Sequence, residues 1–141
     1  MSRLRRTITV LPATDISRAS DWYGRVLGLE TVYLHEGTRA GEETNYAVLL
    51  RDGTQVHLIL DEPAPYKNTW TQAGTGYLYA QVEDVEALLA EVRAAGAELS
   101  AELALAPWGV QGFELRDPDG NLVRVEQAQD ANPDRTSEDE R

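Results

Sequence analysis

Two histidines, His35 and His57, and no cysteine are the whole supply of imidazole and thiol in this chain of 141 residues. A divalent metal centre needs three or four nitrogen, sulfur or oxygen donors converging on one point, and one histidine, even with Glu126 near it, does not make one. Thiolate chemistry and disulfides are excluded, and no serine stands in a nucleophile-elbow context. The carboxylate pairs Glu42–Glu43 and Asp61–Glu62 are sequence neighbours. Neighbours on a strand point to opposite faces, so neither pair reads as an acid–base dyad. Flat aromatic surface is better supplied. Tyr46, Tyr66, Trp70, Tyr77, Tyr79 and Trp108 fall on strands or loops rather than on a helical core stripe. Such rings stack on planar ligands for about 0.5–1.5 kcal/mol per pair beyond the area buried. They attract cations by about 1–2 kcal/mol when water is excluded. With His57, Ile59, Arg124 and Glu126 these six form the candidate binding set, with no catalytic residue, metal or cofactor among the expectations.

The elements that must carry these residues follow from periodicity and turn chemistry. From Pro107 to Glu126 the chain reads PWGVQGFELRDPDGNLVRVE, two alternating runs around Asp117-Pro118-Asp119-Gly120. Proline pre-sets a type I turn and glycine supplies positive φ, the signature of a hairpin closed by a bulge. Earlier in the chain, Thr7–Leu11 predicts a strand and Asp15 or Ser17 a helix cap. Ala19, Trp22, Tyr23, Val26 and Leu27 form an apolar stripe at helical spacing, and Gly28 stops it. A strand over Leu29–His35, a polar loop over Gly37–Thr44 and a hairpin around Asp52-Gly53 complete the first half.

After the Pro- and Gly-rich stretch 62–75, the same order returns. A strand over Tyr77–Val82 leads to a cap at Asp84 and a stripe of Val85, Leu88, Leu89 and Val92, stopped at Gly96. A strand over Glu98–Leu105 then precedes the last hairpin. The cap-to-cap, stop-to-stop and turn-to-turn offsets (Asp15 to Asp84, Gly28 to Gly96, Gly53 to Gly120) are 69, 68 and 67 residues. Three offsets agreeing this closely predict an α+β domain over 1–127, built of two βαβββ modules at about 7–61 and 76–127. Each sheet has one face under a helix and one uncovered, and two uncovered faces can curl around a shared cleft.

Strand parity sorts the side chains. Leu78, Ala80 and Val82 suit the helix side, leaving Tyr77, Tyr79 and Gln81 toward the cleft. Likewise Val56, Leu58 and Leu60 pack inward while His57 and Ile59 face the cleft. Val123 and Val125 pack inward while Leu122, Arg124 and Glu126 face it. The offsets make Ile8 equivalent to Tyr77, and His57 equivalent to Arg124.

LPATDISRASDWYGRVLGLE, QVHLIL, GYLYAQVEDVEALLAEVRAAG and FELRDPDGNLVRVEQ resemble the vicinal oxygen chelate superfamily of glyoxalases, extradiol dioxygenases and bleomycin-resistance proteins, over about Thr7 to Gln127. The resemblance implies the glyoxalase/bleomycin resistance fold, a curled mixed sheet around a cleft. In the metal-dependent members it places the ligands at positions matching Ile8, His57, Tyr77 and Arg124. Of these only His57 can coordinate readily, and a guanidinium repels a cation. The bleomycin-resistance branch is the most similar. It implies a homodimer that sequesters a planar, cationic aromatic molecule unchanged, conferring antibiotic resistance. The alternatives are a metal-dependent lyase or dioxygenase, and a dimeric interaction module.

Net charge is −11, of which residues 128–141 carry −3. An acidic surface repels a phosphate backbone, so nucleic acid is not an expected partner. The segment 128–141 has no apolar residue larger than alanine and is expected to be a disordered tail. No apolar run of signal-peptide or membrane-spanning length occurs, so a cytoplasmic protein without a membrane partner is expected.

Overall fold

A strand, a helix and three strands occur twice in succession. The first set is β1 (Thr9–Ala13), α1 (Ile16–Leu27), β2 (Glu30–His35), β3 (Tyr46–Arg51) and β4 (Thr54–Leu60). The second is β5 (Tyr77–Val82), α2 (Val85–Ala94), β6 (Leu99–Leu105), β7 (Gln111–Arg116) and β8 (Leu122–Gln127). This computed structural model describes residues 1–36, 44–61 and 72–129. The loop over 37–43, most of the stretch 62–75 and nearly all of the expected tail lie outside the described residues, as do Glu42, Glu43, Tyr66 and Trp70.

Each set forms its own four-stranded mixed sheet, ordered β1-β4-β3-β2 and β5-β8-β7-β6. β1 runs parallel to β4 and β5 parallel to β8, while the other ladders are antiparallel. The two modules are therefore equivalent in topology as well as in order. Their sheets do not close on one another.

Local chemistry accounts for the boundaries. Asp15 accepts a hydrogen bond from the Arg18 amide at 3.1 Å, and Asp84 accepts one from Ala87 at 3.0 Å, so each aspartate caps a helix. Asp52 and Gly53 both take positive φ (50° and 79°), the paired left-handed conformation of a two-residue hairpin turn that matches strand twist. At the last hairpin, Gly120 donates to the Asp117 carbonyl and Asp117 to that of Asn121, the expected three-residue bulged closure. One strand is displaced from its expected place: β1 spans Thr9–Ala13, not Thr7–Leu11. Proline is tolerated at a sheet edge, where its missing N–H costs no ladder bond, and β1 is an edge strand, so Pro12 does not end it.

The core is a single cluster. Ala19, Tyr23, Val26 and Leu27 from α1 and Val85, Leu88, Leu89 and Val92 from α2 cover the buried strand positions. These include Leu58 and Leu60 on β4 and Val123 and Val125 on β8. Trp22 is only partly buried, at the edge of the stripe. Burial of each large aliphatic side chain contributes about 1.5–3 kcal/mol.

The modules are joined by polar contacts as well. Tyr23 Oη donates to Asp117 Oδ2 at 2.7 Å, across 94 residues of sequence. Asn121 Nδ2 donates to the Pro12 carbonyl at 2.8 Å, and Arg25 Nη1 to that of Ala95 at 3.0 Å. Asp117 also accepts from the amides of Asp119 and Asn121 and from Asn121 Nδ2, so both of its oxygens are occupied. Burial first, and then the Asp117 charge, push the Tyr23 phenol far above its ordinary pKa of 10, which keeps it a donor. Among the described residues no helix is long and apolar enough to cross a membrane.

Candidate functional site

The uncovered sheet faces carry the candidate residues in two groups, one on each module. In the second module, ladder register sets the positions: Tyr79 lies opposite Arg124 and Gln81 opposite Glu126. Across the other edge of β8, Glu114 lies opposite Arg124 and Gly112 opposite Glu126. Arg124 Nε donates to Glu126 Oε2 at 2.6 Å, and Nη1 donates to Glu114 Oε2 at 2.9 Å. Tyr79 Oη donates to Glu126 Oε1. Trp108 Nε1 donates to the same carboxylate, 3.2 Å from Oε2 and 3.4 Å from Oε1.

Glu126 therefore points to the open side of the sheet, as parity expects, yet it is only 1% exposed. Three donors cover it. Burial pushes its carboxyl pKa up, but the hydrogen bonds from Tyr79 and Arg124, the Arg124 charge and the Trp108 N–H outweigh that and hold it below 4.5. The same bond to Glu126 raises the Tyr79 phenol and, with Glu114, the Arg124 guanidinium. Glu114, Arg124 and Glu126 together carry one net negative charge.

Above this floor the aromatic surface is open. Trp108 is 60% exposed and stacks over Arg124, whose guanidinium carbon lies 5.6 Å from the ring centroid. Its loop joins β6 to β7, closed by Gly109 donating to the Ala106 carbonyl. Tyr77 and Tyr79 are 52% and 46% exposed, with rings edge-to-face at 6.3 Å. Gly112 makes this arrangement possible. A Cβ there would stand 2.9 Å from Arg124 Nη2 and from Glu126 Cγ, and 2.7 Å from the Val125 carbonyl, distances no side chain accepts.

In the first module, Val10 lies opposite His57 and Pro12 opposite Ile59, with Tyr46 facing Ile59 from β3. His57 is held at both ring nitrogens: Nδ1 is 2.6 Å from Tyr46 Oη and Nε2 is 3.0 Å from Gln55 Oε1. An amide oxygen only accepts, so Nε2 carries the proton and Nδ1 accepts from the phenol. Burial lowers the His57 pKa below 6.5 and raises that of Tyr46 above 10. His35, the other histidine, is an exposed residue at the end of β2, 3.2 Å from Tyr33 Oη.

These ladders agree with the offsets read from the sequence: Val10 is to His57 as Tyr79 is to Arg124. Ile8 immediately precedes β1 and Tyr77 begins β5, so both sit one pleat away from these pairs. The residues at the four positions that the resemblance would make ligand sites, Ile8, His57, Tyr77 and Arg124, do not fit a divalent ion. One is aliphatic, one is a guanidinium already paired with two carboxylates, and His57 has no free nitrogen. Among the described residues no three His, Asp or Glu side chains converge to hold a metal. Nor does any hydrogen bond, ion pair or ring contact among them join the His57 group to the Arg124 group.

Three participants escaped the sequence reading: Glu114, Gln55 and Gly112. A signal for the first was present. With residues 117 and 121 closing the turn, counting three pairs outward puts Glu114 opposite Arg124. Gln55 could have been found too, two residues before His57 on the same face.

Twin βαβββ modules, each a four-stranded mixed sheet with a helix on one face, define the class of fold. The chain belongs to the Glyoxalase/Bleomycin resistance protein/Dioxygenase superfamily, whose family model matches residues 6–125. TioX from Micromonospora sp. ML1 is 25% identical, with a TM-score of 0.71 over 89% of this chain and 99% of that one. TnmS3, an antibiotic binding protein from Streptomyces sp. CB03234, is 20% identical, with a TM-score of 0.71 over 92% and 99%. A lactoylglutathione lyase from Agrobacterium tumefaciens is 20% identical, with a TM-score of 0.69 over 90% and 96%. No curated protein sequence matches the chain.

Proposed function

We propose that this protein binds a planar aromatic small molecule carrying positive charge, and holds it unchanged, in the manner of an antibiotic-sequestering member of the superfamily. The observation that carries the reading is the Tyr79–Glu126–Trp108 arrangement. Two half-exposed rings are fixed by donors to one buried carboxylate, so their faces are presented at little further cost in side-chain entropy. Arg124 would oppose a cation, but its charge is taken up by Glu126, and Glu114 leaves the group at −1. TnmS3 is described as an antibiotic binding protein, and its fold is shared. The exposed apolar residues Val10, Val32, Leu34 and Leu105 suit burial against a second copy, so a homodimer that encloses the ligand between open faces belongs to the same proposal. Its place of action is taken to be the cytoplasm.

The test is a titration with 9-aminoacridine, cationic at neutral pH, against neutral anthracene-type analogues and a panel of heteroaromatic antibiotics. Saturable quenching of tryptophan fluorescence with a raised melting temperature, stronger for cations and weakened in Trp108→Ala, supports the reading. Equal response to neutral and cationic rings, or none, overturns it. A rise in melting temperature with nickel, zinc or manganese alone would favour a metal-dependent lyase or dioxygenase.

A further inference from the structure

Where α1 meets the connection from α2 to β6 lies a groove of about 400 Å³ that includes no residue of the His57 or Arg124 groups. Both modules build it. Trp22 and Arg25 come from α1, Glu98 from the connection just before β6, Ser100 from the start of β6, and Arg116 from the end of β7. Its volume lies within the range of about 300–1,000 Å³ usual for small-molecule sites.

Its charge is unusual for this protein. The chain as a whole is at −11, yet the groove holds two guanidinium groups and one carboxylate, a local +1. Each arginine is anchored by one bond to a backbone carbonyl, Arg25 Nη1 to Ala95 at 3.0 Å and Arg116 Nη1 to Gly120 at 3.0 Å. Neither takes part in an ion pair among the described residues, whereas Arg18, Arg51, Arg93 and Arg124 all do. Anchoring one nitrogen fixes the fork and leaves the remaining N–H groups free, the arrangement that suits a carboxylate or another planar oxyanion. The apolar part of the groove is the Trp22 ring with Ala97 and Leu99, and that ring, only partly buried, is itself held edge-to-face on Tyr23 at 4.8 Å.

We propose that this groove is a second binding site, for a small aromatic carboxylate. The anion lies between Arg25 and Arg116, the ring lies against Trp22, and Ser100 offers a hydroxyl donor. Glu98 is the opposing charge that limits affinity. Because α1 belongs to one module and the other lining residues to the second, an occupant spans the seam and stabilises the pairing of the modules.

The test uses the full chain carrying Trp70→Phe and Trp108→Phe, which leaves Trp22 as its only tryptophan. Naphthalene-2-carboxylate should quench it saturably, with the matched amide weaker by about tenfold, the loss of one charge-assisted pair. Arg116→Gln and Arg25→Gln should each weaken binding by a similar factor, Arg25→Lys by less, and Glu98→Gln should tighten it. Tyr79→Phe should leave it unchanged. No saturable quenching up to about 1 mM probe overturns the site. So does equal affinity for acid and amide, or indifference to Arg116→Gln in a variant that melts like the parent. Failure here leaves the cation site untouched, since that is read with a cationic probe and Trp108.

Discussion

Arg124 Nε lies 2.6 Å from Glu126 Oε2, two residues further along the same strand and on the same face. Same-face neighbours on a strand are well separated at Cα, so the contact requires both side chains to lean together over the position between them. Gly112 on the next strand leaves the room for it, and Trp108 closes over it. A pair that sequence alone reads as two ligand-facing charges is a self-neutralised floor beneath an aromatic surface.

Glu126→Gln should cost about 2 kcal/mol in urea unfolding, the scale of a hydrogen bond to a charged group. The sign of the pH effect follows from the lowered pKa. A carboxyl whose folded pKa is depressed adds stability that is fully present above its unfolded value and is lost as pH falls through the folded value. Stability of the parent should therefore decline below about pH 4.5, the unfolded value. The part of that decline due to this group should be missing in Glu126→Gln.

Gly112→Ala should displace the Arg124 guanidinium, since the added carbon meets it at 2.9 Å and the Val125 carbonyl at 2.7 Å. Overpacking of this kind costs about 1–3 kcal/mol. The telling measurement is Trp108 emission, which should shift red as the indole loses its partners, while α2 and the core keep their far-ultraviolet signal.

Tyr23→Phe removes one hydroxyl from the seam and leaves Asp117 Oδ2 with Asn121 alone. The expected loss is about 2 kcal/mol, with little change in denaturant slope. Asp117→Ala orphans four donors and should cost more. A value near zero for Tyr23→Phe would mean that the other contacts of the seam, apolar and polar, hold the modules together without this bond.

His57 should titrate below pH 6.5 by proton NMR, because burial disfavours its charged form. The folded state then binds the proton less readily than the unfolded state. Stability is accordingly unaffected above about pH 6.5 and falls as pH drops through the folded pKa. Replacing the Tyr46 hydroxyl, in Tyr46→Phe, should free Nδ1, so that a first-row metal perturbs the His57 resonances more than it does in the parent.

Much of this was legible from residue order. The twin modules were visible because caps, helix stops and turns are local chemistry. Asp15 and Asp84, Asp52-Gly53 and Asp117-Pro118-Asp119-Gly120 act through neighbours a few residues away. Strand parity likewise sorted Val56, Leu58, Val123 and Val125 inward, since one face of each strand had to meet a helix. Facing the open side, however, did not mean being exposed. Parity placed Glu126 on the correct face but could not show that Tyr79, 47 residues away, and Trp108 would bury it.

By itself the amino-acid order determined the elements, their repetition and which side of each sheet is greasy, because those depend on periods of two and 3.6 residues. Tertiary structure alone decided which charges cancel. Arg124 found Glu114 and Glu126, Tyr23 found Asp117, and Arg25 and Arg116 came to line one groove with no ion pair to either among the described residues. Electrostatic pairing depends on distance through space, and residues far apart in the chain acquire such distances only when the sheets and helices pack.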